Sequence, residues 1–474
     1  MTQIDWAKEV EVRKDDLFAD LFEILKINSV KDMENASEAF PVGPGPAKAL
    51  TKFLELAARD GFRIKNLDNL AGHFEYGDES LEAFGLLGHV DVVPVDDKWD
   101  TDPFSPVIKG EGAEAKLYAR GSSDDKGPSI AAYYAVKIIK ELGLPISKKV
   151  RFIIGTDEES GWACMDHYMK HEEMPKYGFS PDAEFPIING EKAIIAVKTS
   201  FPTVEGEATL KLESFKSGLA LNMVPPTAAA VVSGDVSSLE ASFNDFLAKN
   251  ELTGSVKIEG KQASFELVGK GVHAMDPTVG VNAATYLAAY LHQAGDFDAS
   301  AALYLKVITE YYHLVHDGSK LGIAYEHPVM GGVTSPANLF EYSPAGEKYV
   351  TLNVRYPDGT SFEEIEVKMN ETLNEFGVKA VVEEGGHRKP HYLPGDDPMV
   401  RTLLDVYEEH TGEKGEEFSI GGGTYGRILE HGVAYGALFP WRESTMHQPN
   451  EYMYVDDIIK STVIYADAIY RLIK

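Results

Sequence analysis

Only one cysteine, Cys164, occurs in the 474 residues. A single thiol allows no internal disulfide and no zinc finger built on paired cysteines. Apolar runs are short as well. None approaches the roughly 18 residues that read as a membrane-spanning helix. The N-terminal stretch carries Asp5, Glu9, Glu11, Asp15 and Asp16 among a few lysines, and it lacks the apolar core of a signal peptide. These absences lead to the expectation of a cytoplasmic protein. Positive charge is also scarce. Lys and Arg number 45 against 75 Asp and Glu, a formal net charge of -30. That balance argues against nucleic acid or an anionic membrane as partner. There is no internal repeat at a short fixed period and no low-complexity tract.

What is present is an ordinary globular composition, with 44% hydrophobic and 25% charged residues, in a chain long enough for two or more domains. The central stretch is Gly85-Leu-Leu-Gly-His-Val-Asp-Val-Val-Pro94, an apolar strand stopped by a proline. His89 and Asp91 are two residues apart, so an extended chain carries both on one side. An imidazole with a carboxylate beside it is the usual pairing of a metal ligand with its orienting group.

Before this strand, apolar positions from Trp6 to Leu25 predict a helix over Asp5–Leu25, and a second helix covers Ala47–Ala58. After it, Tyr118-Ala-Arg-Gly-Ser-Ser-Asp-Asp-Lys-Gly-Pro128 places Asp124 and Asp125 at the entry to a helix, where aspartates also serve as caps. The strand Val150–Ile154 ends at Thr156-Asp-Glu-Glu-Ser160, with Glu158 and Glu159 adjacent. Asp182 and Glu184 lie in a further strand-edge run.

From about residue 189 to 385 the pattern changes to strands and amphipathic helices. It includes helices over 301–312 and from a capping box at Thr360 and Glu363, and it closes at the breaker Gly385-Gly386. Thereafter come a helix over 397–410, the glycine-rich turn from Ser419 to Gly426, a strand over 433–438, the stretch Met446-His-Gln-Pro-Asn-Glu451, and a final helix over 455–473. The pattern predicts an inserted second domain.

Five chain ends thus offer ligands of one chemical type: His89 with Asp91, Asp124 with Asp125, Glu158 with Glu159, Asp182, and His447. Strand ends of a parallel α/β sheet converge on one edge. Nitrogen and oxygen donors without thiols suit Zn, Mn or Co. Two metals sharing a bridging carboxylate would relieve the repulsion among the acids and activate water for hydrolysis.

The motifs Gly88-His-Val-Asp-Val-Val-Pro94, Gly121-Ser-Ser-Asp-Asp-Lys-Gly127, Thr156-Asp-Glu-Glu-Ser160 and Ser180-Pro-Asp-Ala-Glu184 follow in that order. As a set they resemble the M20 co-catalytic zinc peptidases. Phe40-Pro-Val-Gly43, Pro390-His-Tyr-Leu-Pro-Gly395 and Gly421-Gly-Gly-Thr-Tyr-Gly-Arg427 are similar to the dipeptidase V branch, the bacterial Xaa-His (carnosinase-like) dipeptidases.

The resemblance implies an α/β fold: a zinc aminopeptidase-like catalytic domain, a mixed sheet flanked by helices, split over 1–188 and 386–474, with an α+β lid domain at 189–385. It implies two Zn²⁺ per chain, with Mn²⁺ or Co²⁺ as substitutes. His89 and Asp182 would hold one, Glu159 and His447 the other, and Asp124 would bridge them, with a cis bond to Asp125. Asp91 would orient His89, and Glu158 would be the general base that takes a proton from metal-bound water.

In the lid, the resemblance implies that His273 faces the tetrahedral oxyanion, that Asn222 binds substrate, and that Arg355 grips the substrate carboxylate. Gly422 and Gly423 would offer backbone N–H groups near the substrate's C-terminal end. Val90, and Met275-Asp276-Pro277 after His273, depart from the branch pattern. The implied reaction is hydrolysis of unblocked dipeptides by a monomer. A related N-acyl-amino-acid deacylase is the alternative enzyme, and a non-catalytic binding protein the alternative of another class. His313 with His316, and His387 with His391, lack a convergent carboxylate motif and are not expected to hold a functional metal.

Overall fold

Leu86 and Leu87, adjacent in the strand Ala83–His89, point to opposite faces of a sheet as the period of two requires, and both are fully buried. Burial on both faces explains why this strand is a continuous apolar run rather than an alternating one. The computed structural model describes residues 4–383 and 388–474. The chain divides into two units, the first made of Met1–Gly190, Leu393–Phe418 and Gly423–Lys474, the second of Glu191–Tyr392 and Ser419–Gly422.

The first unit has a six-stranded sheet in the order Arg63–Leu67, Ala71–Tyr76, Lys149–Gly155, Ala83–His89, Tyr177–Ser180, His431–Ala434. The first two strands run antiparallel to their neighbours. The last four are parallel to one another. Phe84, Leu86, Phe152, Ile154 and Phe179 share a core with helices Lys14–Leu25, Pro44–Arg59, Lys126–Glu141 and Val455–Ile473. Leu87 and Ile153, one residue out of phase, pack on the opposite face with helix Ala163–His171 and Tyr425.

From Ala83–His89 the chain goes to a strand on one side, then returns to a strand on the other. At such a switch point a crevice opens beyond the carboxyl ends of the strands. Gly88 lets helix Lys126–Glu141 begin against this strand. A Cβ there would lie 2.1 Å from Ser129 Oγ and 2.8 Å from Asp125 Oδ2. That helix is buried continuously from Lys126 to Ile139, so it is a core helix rather than a surface one.

The second unit is an antiparallel eight-stranded sheet. Helices Leu239–Lys249, Ala283–Ala294, Ala299–Val307 and Phe362–Leu373 contribute to its core. In its strand Lys348–Tyr356, Val350, Leu352, Val354 and Tyr356 belong to that core. Thr351, Asn353 and Arg355 alternate with them and therefore face the other way.

Several element boundaries differ from expectation. The helix expected over Asp5–Leu25 is two helices, Trp6–Glu11 and Lys14–Leu25. Arg13 N bonds to Val10 O at 2.9 Å, a three-residue closure that ends the first. The cap expected at Thr360 is one residue later, where Ser361 Oγ accepts from Glu364 N at 3.2 Å. The helix expected to Tyr312 widens to a π-helix over Ile308–Tyr312. The strand expected over 433–438 is instead His431–Ala434 and Ala437–Leu438, separated at a cis Gly436–Ala437 bond. Gly385, Gly386 and His387 lie outside the described residues. Among the described residues no helix is long and apolar enough to cross a membrane.

Candidate metal centre

His89 is the last residue of its strand and is fully buried. Its Nδ1 lies 3.0 Å from the Asp91 main-chain oxygen and 3.4 Å from Asp91 Oδ1. With Nδ1 donating to oxygen, the Nε2 lone pair is left to face the crevice. Nε2 is 3.1 Å from Asp124 Oδ1 and 3.4 Å from Asp182 Oδ2. Asp182 follows the end of strand Tyr177–Ser180, the neighbour of Ala83–His89, so strand pairing brings the two together.

A second group mirrors the first. His447 Nε2 is 2.8 Å from Asp124 Oδ2 and 3.1 Å from Glu159 Oε2. The two oxygens of Asp124 therefore face two different histidines, each with a further carboxylate beside it. Asp124–Asp125 is a cis bond. Ligand atoms of His89, Glu158 and Asp182 lie within 4.8 Å of one another, and so do those of His89, Asp124 and Glu159.

This crowding of acids is electrostatically costly. Burial raises the Glu158 carboxyl well above its ordinary value, His89 opposes this, and the Asp182, Glu159 and Asp124 carboxylates add to it. Burial and Asp124 raise Glu159 to about 7, against the pull of His447. Burial and Asp124 also raise Asp182. Burial pushes Asp124 up too, but hydrogen bonds from His447 and His89 outweigh it and hold it low. His447 is raised to about 11, chiefly by its hydrogen bonds to Asp124 and Glu159. Cations would offset the repulsion within such a set of charges. The donors are imidazole nitrogen and carboxylate oxygen, and the one thiol, Cys164, is buried against Tyr425 with Sγ 3.0 Å from its hydroxyl. This set fits a borderline divalent metal.

Neighbouring groups fix the geometry. The Asp91 carboxylate accepts the backbone N–H groups of Glu158 and Glu159, each at 3.1 Å. It therefore holds the glutamate loop as well as lying beside His89. Asp125 precedes helix Lys126–Glu141 but makes no side-chain cap. Its Oδ2 accepts from His89 N at 3.0 Å and Ser129 Oγ at 2.7 Å. Asp157 accepts from Lys31 Nζ at 2.7 Å and Ala163 N at 3.1 Å, steadying the same loop. The sequence reading gave no role to Glu451, which is fully buried and accepts from Arg120 Nη1 at 2.7 Å and Ser123 N at 2.8 Å.

The second unit carries the other expected residues. His273 pairs with Met223 across an isolated bridge, and Ala274 N donates to Asn222 O at 2.8 Å, so Asn222 and His273 are neighbours. Met275 N donates to His273 Nδ1 at 3.3 Å, which leaves the ring proton on Nε2. Arg355 is 2% exposed. Its Nε donates to Asn353 Oδ1 at 2.9 Å, and its Nη1 donates to Gly421 O. It forms no ion pair with an acidic side chain among the described residues, and burial lowers its pKa to about 10. Gly421 also lies against Met275, whose Cβ would be 3.0 Å from a Cβ on the glycine. Gly422 falls in the second unit and Gly423 in the first. His313 Nδ1 is 3.1 Å from Thr285 Oγ1, and His391 lies in a two-residue strand.

A family profile described as Peptidase family M20/M25/M40 matches residues 85–471. The Beta-Ala-Xaa dipeptidase of Lactobacillus delbrueckii subsp. lactis is 44% identical over 474 residues, covering 99% of each chain. Among solved structures, the aminoacylhistidine dipeptidase from Vibrio alginolyticus aligns with a TM-score of 0.57 at 13% identity, over 97% of this chain and 96% of that one. Human carnosine dipeptidase 1 aligns with a TM-score of 0.54 at 16% identity, over 98% of both chains. At these identities the two structures speak for a shared fold.

Proposed function

This chain belongs to the Peptidase family M20/M25/M40, and from that premise we propose that it is a dinuclear zinc dipeptidase hydrolysing unblocked dipeptides, β-Ala-His and other Xaa-His peptides among them. One observation carries the proposal: the two oxygens of Asp124 face His89 and His447 separately, at 3.1 and 2.8 Å. In this reading His89 and Asp182 hold one Zn²⁺, His447 and Glu159 the other, and Asp124 is shared. Mn²⁺ or Co²⁺ could replace zinc. When bound, such a pair supplies Lewis acidity toward the scissile carbonyl and acidifies water.

The chain's own groups do the rest. Glu158 accepts a proton from the attacking water and delivers it to the leaving amine. Its carboxyl is buried beside His89 and Asp182, within the cluster where that water would sit. Asp91 keeps Glu158 in place by accepting its backbone N–H. From the second unit the proposal takes four residues, His273, Arg355, Asn222 and Gly422. His273 donates from Nε2 to the developing oxyanion, as the Met275 N–H bond to Nδ1 favours. Arg355, a buried guanidinium without an acidic partner among the described residues, binds the substrate's terminal carboxylate. Asn222, with Gly422 and Gly423, contributes polar contacts to the peptide. The functional division is taken as 1–188 with 386–474 for the chemistry and 189–385 for the substrate, in a monomeric cytoplasmic enzyme.

The test is hydrolysis of a panel containing β-Ala-His, its N-acetyl form and a tripeptide, by chelated protein with and without added Zn²⁺ or Mn²⁺. Metal-dependent cleavage confined to the free dipeptides is expected. Cleavage of the acetylated peptide in preference would overturn the dipeptidase assignment in favour of a deacylase. Two metals bound with no cleavage would overturn the enzymatic reading.

A further inference from the structure

Glu451 is a charged side chain with no exposure at all. A buried carboxylate is tolerated only when paired and hydrogen-bonded, and Glu451 is unusually well supplied. Oε2 accepts from Arg120 Nη1 at 2.7 Å and from Gly121 N at 3.2 Å. Oε1 accepts from Ser123 N at 2.8 Å, Ser123 Oγ at 2.9 Å and Asp124 N at 3.3 Å. The donors are successive groups of one loop, and the last belongs to Asp124 itself. The main chain joins the same two segments. Ala119 N donates to Glu451 O at 3.2 Å, and strand Tyr452–Tyr454 pairs antiparallel with Lys116–Tyr118. Glu451 thus fastens the loop that carries Asp124 to the segment that carries His447, four residues earlier.

The two histidines are not held alike. His89 is fully buried at a strand end with Nδ1 bonded to Asp91. The His447 side chain is 56% exposed, and its backbone has a φ of 63° in a turn closed between Thr445 and Tyr452. The carboxylates gathered around the two histidines also differ in number. His89 and Asp182 have Glu158 within the same 4.8 Å cluster. Among the described residues, the acidic side chains within 4 Å of His447 Nε2 are Asp124 and Glu159.

We propose that Glu451 is a positioning residue for the metal centre, and that it acts selectively on the half formed by His447, Glu159 and Asp124, which is the weaker of the two. This rests on the metal-site reading above. Partners of ligands that touch no metal themselves typically account for about 10–100-fold in affinity. Here that loss should fall on one metal equivalent.

The experiment is titration of the chelated full-length protein with Zn²⁺ against a chromophoric competitor, which needs no turnover. Wild type should bind two equivalents with separable affinities. Glu451→Gln, which puts an N–H donor among donors, should retain the tighter equivalent and weaken the other by at least about tenfold. Because Glu451→Gln also strands Arg120 and the variant can fail to fold, Ser123→Ala is the second variant. It deletes one hydroxyl bond to Glu451 and should weaken the same equivalent by a smaller factor. Wild-type affinity for both equivalents in a folded Glu451→Gln, or equal weakening of both, would overturn the proposal. If Glu451→Gln does not fold, Ser123→Ala decides by the same criteria. Asp124→Ala separates the two readings. If it too binds two equivalents like wild type, the assignment of Asp124 as shared ligand has failed rather than the role of Glu451.

Discussion

Glu158 and Glu159 are adjacent, and one carboxylate, that of Asp91, accepts both their backbone N–H groups. Their side chains face different partners all the same. Glu159 lies 3.1 Å from His447, whereas Glu158 groups with His89 and Asp182. Glu158→Gln is therefore expected to keep two metal equivalents and lose about 10²–10⁴ in kcat, the usual range for a general acid–base. Metal analysis with steady-state kinetics checks this, and a kcat within tenfold of wild type would refute the assignment. His273→Ala should lose about 10²–10³ in kcat, as for a removed oxyanion donor, with metal content unchanged. Activity near that of wild type would show that His273 lies outside the chemistry.

His89 and Asp91 were legible in the sequence because same-side placement two residues apart is a local property of a strand. Glu451 was not, because it works through backbone N–H groups about 330 positions away. No sequence pattern announces partners so far along the chain, three of them backbone N–H groups. The role of Asp91 was half legible. Its place beside His89 follows from spacing, but its grip on the glutamate loop follows only from the parallel pairing of Ala83–His89 with Lys149–Gly155.

In the second unit, the strand Lys348–Tyr356 gives alternate residues to the core, and Arg355 belongs to the other set. That alternation keeps the guanidinium out of the core, and no acidic side chain among the described residues pairs with it. Arg355→Met should raise KM for dipeptides about ten- to a hundredfold with a smaller change in kcat, as expected for lost charge-assisted hydrogen bonds. An unchanged KM would remove Arg355 from substrate binding.

In the first unit, the hairpin strand Ala71–Tyr76 carries His73 and Glu75 next to Arg151 of the neighbouring strand. Burial lowers the His73 pKa to about 4, with Arg151 contributing in the same direction. The Tyr168 hydroxyl lies 2.8 Å from Nδ1, a contact a neutral ring can make. An unfolded imidazole takes its proton near pH 6.5. Between about 6.5 and 4 the unfolded chain thus binds the extra proton, and stability falls as pH falls. His73→Gln should flatten that part of the curve for metal-free protein in calorimetry, and an unchanged slope would contradict it. Helix boundaries were the least legible features at this scale. The break at Val12–Arg13 and the cap at Ser361 rather than Thr360 each turn on one hydrogen bond, at 2.9 and 3.2 Å, and composition does not distinguish adjacent candidates.

At the scale of the molecule, the proposed metal ligands all fall in the first unit. Metal bound only by folded protein stabilises by about 2.7 kcal/mol when free metal is 100 times Kd. Chelation should therefore lower the transition of the first unit by several degrees and leave that of the second in place, and readdition of Zn²⁺ should restore it. A uniform shift of both transitions, or none, would argue against this distribution of ligands. The order of strands could not be read from the sequence. Placing His431–Ala434 beside Tyr177–Ser180 requires a pairing across some 250 residues that neither strand's residues encode.

That pairing has a consequence for how the protein is made. The sheet edge and the buried helix Val455–Ile473, packed on Lys126–Glu141, come from the end of the chain. A ribosome adding about 5–20 residues per second takes roughly ten to fifty seconds between completing Gly190 and reaching Gly423. Throughout that interval the nascent first unit exposes the apolar face that the last helix will cover, and it lacks His447. Interrupted translation anywhere in this window leaves a fragment with a sticky surface and without His447, which chaperones and proteases would meet before any substrate does.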